Sequence, residues 1–142
     1  MRLEGFSPNN FHTLLALARN PKETGESLDK LVTKVKRYLH LWDIEAEHVL
    51  LAILKHPNVK RKTVCRIIKS FNIYMVRRTA IVMPYFDDDM FQIIRQHNDN
   101  VAISMAIDSN KLSALSLISL GTHENEWIRK HALAKLSRMP PT

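Results

Sequence analysis

Apolar residues recur along the chain in short bursts with helical spacing, and the bursts themselves recur. Taking Pro21, Pro57, Pro84 and Asn110 as reference points, the steps between them are 36, 27 and 26 residues. Four residues before each stand Leu17, Ile53, Ala80 and Ala106, and three before stand Ala18, Leu54, Ile81 and Ile107. Seven after stand Leu28, Val64, Phe91 and Leu117, and ten after stand Leu31, Ile67, Ile94 and Leu120, so all sixteen positions are apolar. A step of three along a helix keeps two side chains on one face. Proline at the reference point cannot continue a helix, because it lacks the N–H and its ring clashes with the preceding turn. The pattern therefore predicts units made of a short helix, a break and a second helix. A truncated fifth unit begins at Trp127, where Ala132 continues the 26-residue step from Ala80 and Ala106.

The predicted helices lie near 9–19, 27–41, 44–55, 60–71, 75–83, 87–96, 100–107, 111–119 and 124–137. Start signals agree with several of them. Asp43 precedes Glu45 and Glu47, Asp87-Asp88-Asp89 opens another helix, and Glu124 and Glu126 lie at the start of the last, whose far end carries Lys135 and Arg138. The first unit is longer because its second helix is expected to continue through Val32, Val35, Leu39 and Trp42. Helices of about ten residues are marginal alone and must bury their apolar faces on neighbours. Stacking of successive units supplies that burial. The expectation is an all-α fold, an α-solenoid of stacked helical hairpins with about nine short helices. It forms a single domain over 1–142, with repeats at approximately 9–41, 44–71, 75–96, 100–120 and a partial 124–137. No segment reads as a strand, and residues 139–142 are expected to fray.

These segments resemble the variant leucine-rich repeats, all-helical relatives of HEAT repeats. That family shows a V-R-x-x-A helix, an N-P-type break and a second, Leu-rich helix about every two dozen residues. Val76-Arg77-Arg78-Thr79-Ala80 with Pro84 fits that pattern, and Ile128-Arg129-Lys130-His131-Ala132 repeats it. Ala16-Leu17-Ala18-Arg19-Asn20-Pro21 and Leu54-Lys55-His56-Pro57-Asn58 carry the break. The resemblance covers most of 11–137 and implies a fold, not an activity. The chain departs from the pattern in its long first unit, in Asn110 for proline, and in Ala102-Ile103 where Val-Arg is the family's choice. One member of the family holds an iron–sulfur cluster on several cysteines. Cys65 is the only cysteine here, so no cofactor is expected.

Composition narrows the function classes. The three glycines, Gly5, Gly25 and Gly121, are too scattered to build a G-x-G-x-x-G or Walker-type phosphate loop. No apolar run approaches the ~18 residues of a membrane span, and Met-Arg-Leu-Glu-Gly-Phe lacks the apolar region of a signal peptide. A single cysteine makes no internal disulfide, and an intracellular, cytoplasmic protein with no membrane partner is the simplest fit. The net charge of +7 is uneven, with +6 in residues 1–71 and +1 in 72–142. Between His48 and Phe86 stand Lys55, Lys60, Arg61, Lys62, Arg66, Lys69, Arg77 and Arg78, with no acidic residue among them.

Candidate chemistry adds little. His40, Asp43, Glu45, Glu47 and His48 contain one Glu-x-x-His, whereas di-metal bundles need two such motifs and two further glutamates. Acids at a helix start are equally well placed for the helix dipole. Asp87-Asp88-Asp89 lacks the alternating ligands and glycine of a calcium loop. Cys65 adjoins inward positions and reads as a packed residue. Ser104, Ser113, Ser116 and Ser119 fall in helices where small side chains allow close packing. No catalytic or metal site is expected. The basic residues are the lead: Lys62, Arg66 and Lys69 fall at i, i+4 and i+7, one exposed helical stripe, and Arg77 and Arg78 begin the next helix beside Tyr74. The expected function is non-enzymatic recognition of an acidic protein surface. The alternative is sequence-nonspecific contact with nucleic-acid phosphates through the same stripe.

Overall fold

The computed structural model describes residues 8–38 and 43–140. Among them there are nine α-helices and no strand. They are α1 (Pro8–Arg19), α2 (Gly25–Tyr38), α3 (Asp43–Lys55), α4 (Arg61–Ser70), α5 (Tyr74–Val82), α6 (Asp88–Ile94), α7 (Asn100–Asp108), α8 (Ala114–Leu120) and α9 (Glu126–Ser137). A turn of 3₁₀ helix at Arg95–His97 extends α6. The expected continuation of α2 through Leu39 and Trp42, and the extreme C-terminus, lie outside the described residues.

Of the sixteen repeat positions, all but the half-buried Leu17 are buried. Ala132 in the truncated unit is buried as well. The apolar spacing thus marks inward faces, as burial of helical stripes requires.

Helix starts are set by local side-chain chemistry. Thr24 Oγ1 accepts from the Ser27 N–H at 3.1 Å to open α2, and Asp87 Oδ1 accepts from Met90 N–H at 2.9 Å to open α6. Asp99, Ser113 and Asn125 do the same for α7, α8 and α9 at 3.2, 3.1 and 3.1 Å. Such caps satisfy otherwise orphaned N–H groups. They also explain two differences from the expected boundaries: Ser113 delays α8 to Ala114, and Asn125 delays α9 to Glu126. Asn110, the one reference point that is not proline, adopts a left-handed φ of 65° just past α7, a conformation that asparagine tolerates and that ends a helix.

Two compact units are distinguished, Met1–Val76 and Arg77–Thr142, with the division inside α5. In the first, α1 packs on α3, and α2 packs on α1, α3 and α4. In the second, α6 packs on α7, α7 on α9, and α8 on α9. Long-range hydrogen bonds join like positions. In the first unit the His56 ring bonds to Asn20 O, and the Asn58 amide donates to Pro21 O and Glu23 O, across 36, 37 and 35 residues. In the second unit Lys111 Nζ donates to Pro84 O across 27 residues, and Ser116 Oγ donates to Asp88 across 28. These separations are close to the repeat steps read from the sequence.

Gly25 sits where α2 starts, and a Cβ there would meet Asn58 O at 2.8 Å and Lys60 Cγ at 2.7 Å. The backbone carbonyl cannot move away as a flexible side chain could, so the close approach of the two helix breaks needs glycine.

Candidate binding surfaces

The basic residues singled out in the sequence do not form one surface. Lys62 and Lys69 are exposed on α4, as the i, i+7 spacing requires, and Arg61 is exposed at its start. Arg66, between them in spacing, is half-buried and fixed. Its guanidinium donates to Asp29 Oδ2 at 3.1 Å and Asp29 O at 3.0 Å through Nη1, and to Thr33 Oγ1 at 2.6 Å through Nη2. Thr63 Oγ1 also donates to Asp29, at 2.9 Å. Lys60 Nζ lies 3.7 Å from Glu26. Acidic residues of α2, absent from the stretch between His48 and Phe86, therefore reach the α4 stripe through space.

α2, which packs on α4, carries a second set of cations. Lys30, Lys34 and Arg37 on α2 repeat the i, i+4, i+7 spacing, and all three are exposed, as is Lys36. With Lys62 and Lys69 they leave exposed cations on both of these packed helices. The α2 residues lie outside the acid-free stretch between His48 and Phe86. The repeated spacing was the available signal.

Lys55 stands elsewhere. It is the last residue of α3 and lines a groove with Arg19 and His48.

Arg77 and Arg78 belong to an ion-pair cluster. Arg77 is 5% exposed. Its Nε donates to Asp99 Oδ2 at 3.3 Å, and Arg78 Nη2 donates to Asp99 Oδ1 at 3.1 Å. The expectation that these two arginines extend an exposed stripe fails for Arg77, because Asp99, 22 residues later, closes over it. Burial opposes ionisation of Asp99. The hydrogen bonds from Arg78 and the Ala102 N–H, with the charges of both arginines, outweigh burial and hold its carboxyl below the ordinary value.

Asp88 is treated similarly. Burial again opposes its charge, but bonds from the Ser116 hydroxyl, the Ser113 N–H and hydroxyl, and Gln92 lower its pKa. Ser113 and Ser116 are thus cap and network residues rather than passive small ones.

A carboxyl whose pKa is lower folded than unfolded contributes stability present above the unfolded value, and that stability is lost as pH falls through the folded one. Asp88 and Asp99 should therefore make the second unit resist acid until pH drops below about 4. Asp99→Asn should flatten that acid limb in a urea-midpoint series from pH 6 to pH 2. An unchanged limb would show that Asp99 does not supply it.

Two histidines are engaged structurally. Asn58 N–H donates to His56 Nδ1 at 3.0 Å, which leaves Nε2 to donate to Asn20 O at 2.6 Å. His131 Nε2 lies 2.8 Å from Asp108 Oδ1 and stacks on Trp127 with ring centroids 4.7 Å apart. Of the candidate metal set, His40 and the Asp43 side chain lie outside the described residues, His48 is exposed, and Glu45 and Glu47 are half-buried. Among the described residues no three His, Cys, Asp or Glu side chains are grouped to hold a metal ion. No described helix is long and apolar enough to cross a membrane. No family model, curated protein or solved structure matches this chain.

Proposed function

We propose that this chain is a non-catalytic binding scaffold, a stack of helical hairpins of the variant leucine-rich or HEAT-like kind, that recognises an acidic protein surface. The hairpin stack is supported by the long-range hydrogen bonds, whose sequence separations of 33 to 37 residues in the first unit and 21 to 28 in the second follow the local repeat lengths. The observation that carries the binding reading is the α2–α4 face, where Lys30, Lys34, Arg37, Lys62 and Lys69 are exposed on two packed helices. Such a face attracts an acidic partner and steers its approach.

Protein is favoured over nucleic acid by two details. Arg66, the arginine between Lys62 and Lys69 in the α4 stripe, is already occupied by Asp29 and Thr33. The exposed residues of α4 include no aromatic ring on which a base could stack.

The test is a fluorescence titration at two salt concentrations against poly-glutamate and, separately, duplex DNA. Wild type should bind poly-glutamate, and the double variant Lys62→Glu, Lys69→Glu should bind it at least roughly tenfold more weakly. Both side chains are exposed and their loss leaves the Arg66–Asp29 pair intact. Binding to DNA alone, with a log–log salt slope of roughly −3 to −4 for about four phosphates, would replace the protein reading with the nucleic-acid one.

A further inference from the structure

A groove of about 400 Å³ opens between the C-terminal ends of α1 and α3. It stands on different helices from the basic α2–α4 face. Ala18, Leu51 and Ala52 give it an apolar floor, and Arg19, His48 and Lys55 stand exposed around it. Among the described residues no carboxylate lines it. Its volume is in the range of small-molecule sites.

The groove is held open by the links between the two helix breaks. His56 bonds to Asn20 O at 2.6 Å, and the Asn58 amide holds Pro21 O at 3.2 Å and Glu23 O at 2.9 Å. The cavity is therefore formed before any ligand arrives, which lowers the ordering cost of binding.

Arg19 and Lys55 occupy the same place in their repeats, two residues before Pro21 and Pro57. A cation at a helix C-terminus is favoured by the dipole alone, so position alone does not argue for a ligand. The second unit supplies the comparison. An equivalent groove of about 470 Å³ lies between the ends of α5 and α7, and there the same two positions hold Val82 and Asp108. The repeat does not require positive charge at this place. The first groove carries two cations and a histidine over an apolar floor, with no carboxylate among its described lining residues.

We propose that the α1–α3 groove binds a small organic anion, a phosphate or carboxylate carried on an apolar body. Arg19 and Lys55 engage the anionic group from two sides, and Ala18, Leu51 and Ala52 receive the apolar part. This stands whether or not the α2–α4 face binds protein.

The test is amide chemical-shift mapping of the ¹⁵N-labelled full chain with phenyl phosphate, phenylacetate, phenol and inorganic phosphate, each raised to millimolar concentration. Saturable shifts at Ala18, Leu51, Ala52 and Lys55 are expected from phenyl phosphate or phenylacetate, and whichever binds more tightly names the anion. Arg19→Glu and Lys55→Glu should each weaken that binding by at least roughly tenfold. Lys55→Gln, which removes charge without reversing it beside the helix end, should weaken it by less. Lys130→Glu, the same charge change on exposed α9, should bind as wild type does. The proposal fails if phenol binds as tightly as the anions, if no probe gives a saturable shift in the groove, or if the Arg19 and Lys55 variants, folded by their amide spectra, bind unchanged.

Discussion

Asp99→Ala should lower the unfolding free energy by about 3–5 kcal/mol, the usual cost of removing one partner from a buried ion pair. The side chains of Asp99 and Arg77 are each 6% exposed, so water replaces little of what is lost. The same substitution removes the acceptor for the Ala102 N–H at the start of α7, a cap whose loss alone costs about 1 kcal/mol. One carboxylate thus serves a helix start and two guanidinium groups, and its loss is felt at all three. Asp99→Asn separates the contributions, because asparagine caps a helix nearly as well but carries no charge. It should fall between wild type and alanine. Urea unfolding at pH 7 measures both variants, and a loss below about 1 kcal/mol for alanine would contradict the role assigned to the cluster.

Phe91→Ala is expected to cost about 3–5 kcal/mol. Phe91 is fully buried on α6 and occupies the inward position shared with Leu28, Val64 and Leu117. Arg95 lies over its ring with the guanidinium carbon 5.5 Å from the centroid, so truncation removes a packed ring and a cation–π partner together. The informative control is Leu115→Ala. Leu115 is also apolar, but it falls outside the repeat positions and is 79% exposed on α8. Its truncation should change stability by less than about 0.5 kcal/mol. Similar losses at Phe91 and Leu115 would mean that the repeat register does not mark the core.

Most of the helical layout is readable along the chain because its causes are local. A helix repeats every 3.6 residues, so apolar residues at the chosen steps label one face without reference to anything distant. The caps are equally local: Asp87 and Asp99 each bond an N–H three residues on. Even the exception at Asn110 has a short-range reason in its left-handed backbone. The groove was partly legible too, since Arg19 and Lys55 share a repeat position, although nothing in the pattern tells that a cavity lies between them.

Charge pairing has no such local rule. Arg66 and Lys69 look alike along α4, three residues apart, yet one is clamped by Asp29 and the other is open to solvent. Arg77 reads as part of a basic run until Asp99 is brought to 3.3 Å from it. Coulomb attraction depends on distance in space, and residues 22 or 37 apart in the chain become neighbours only after the helices have packed. The linear order of residues was thus enough for the existence of the helices and for their inward faces. Which cations remain free to meet a partner was settled by packing, because only packing delivers their counter-charges.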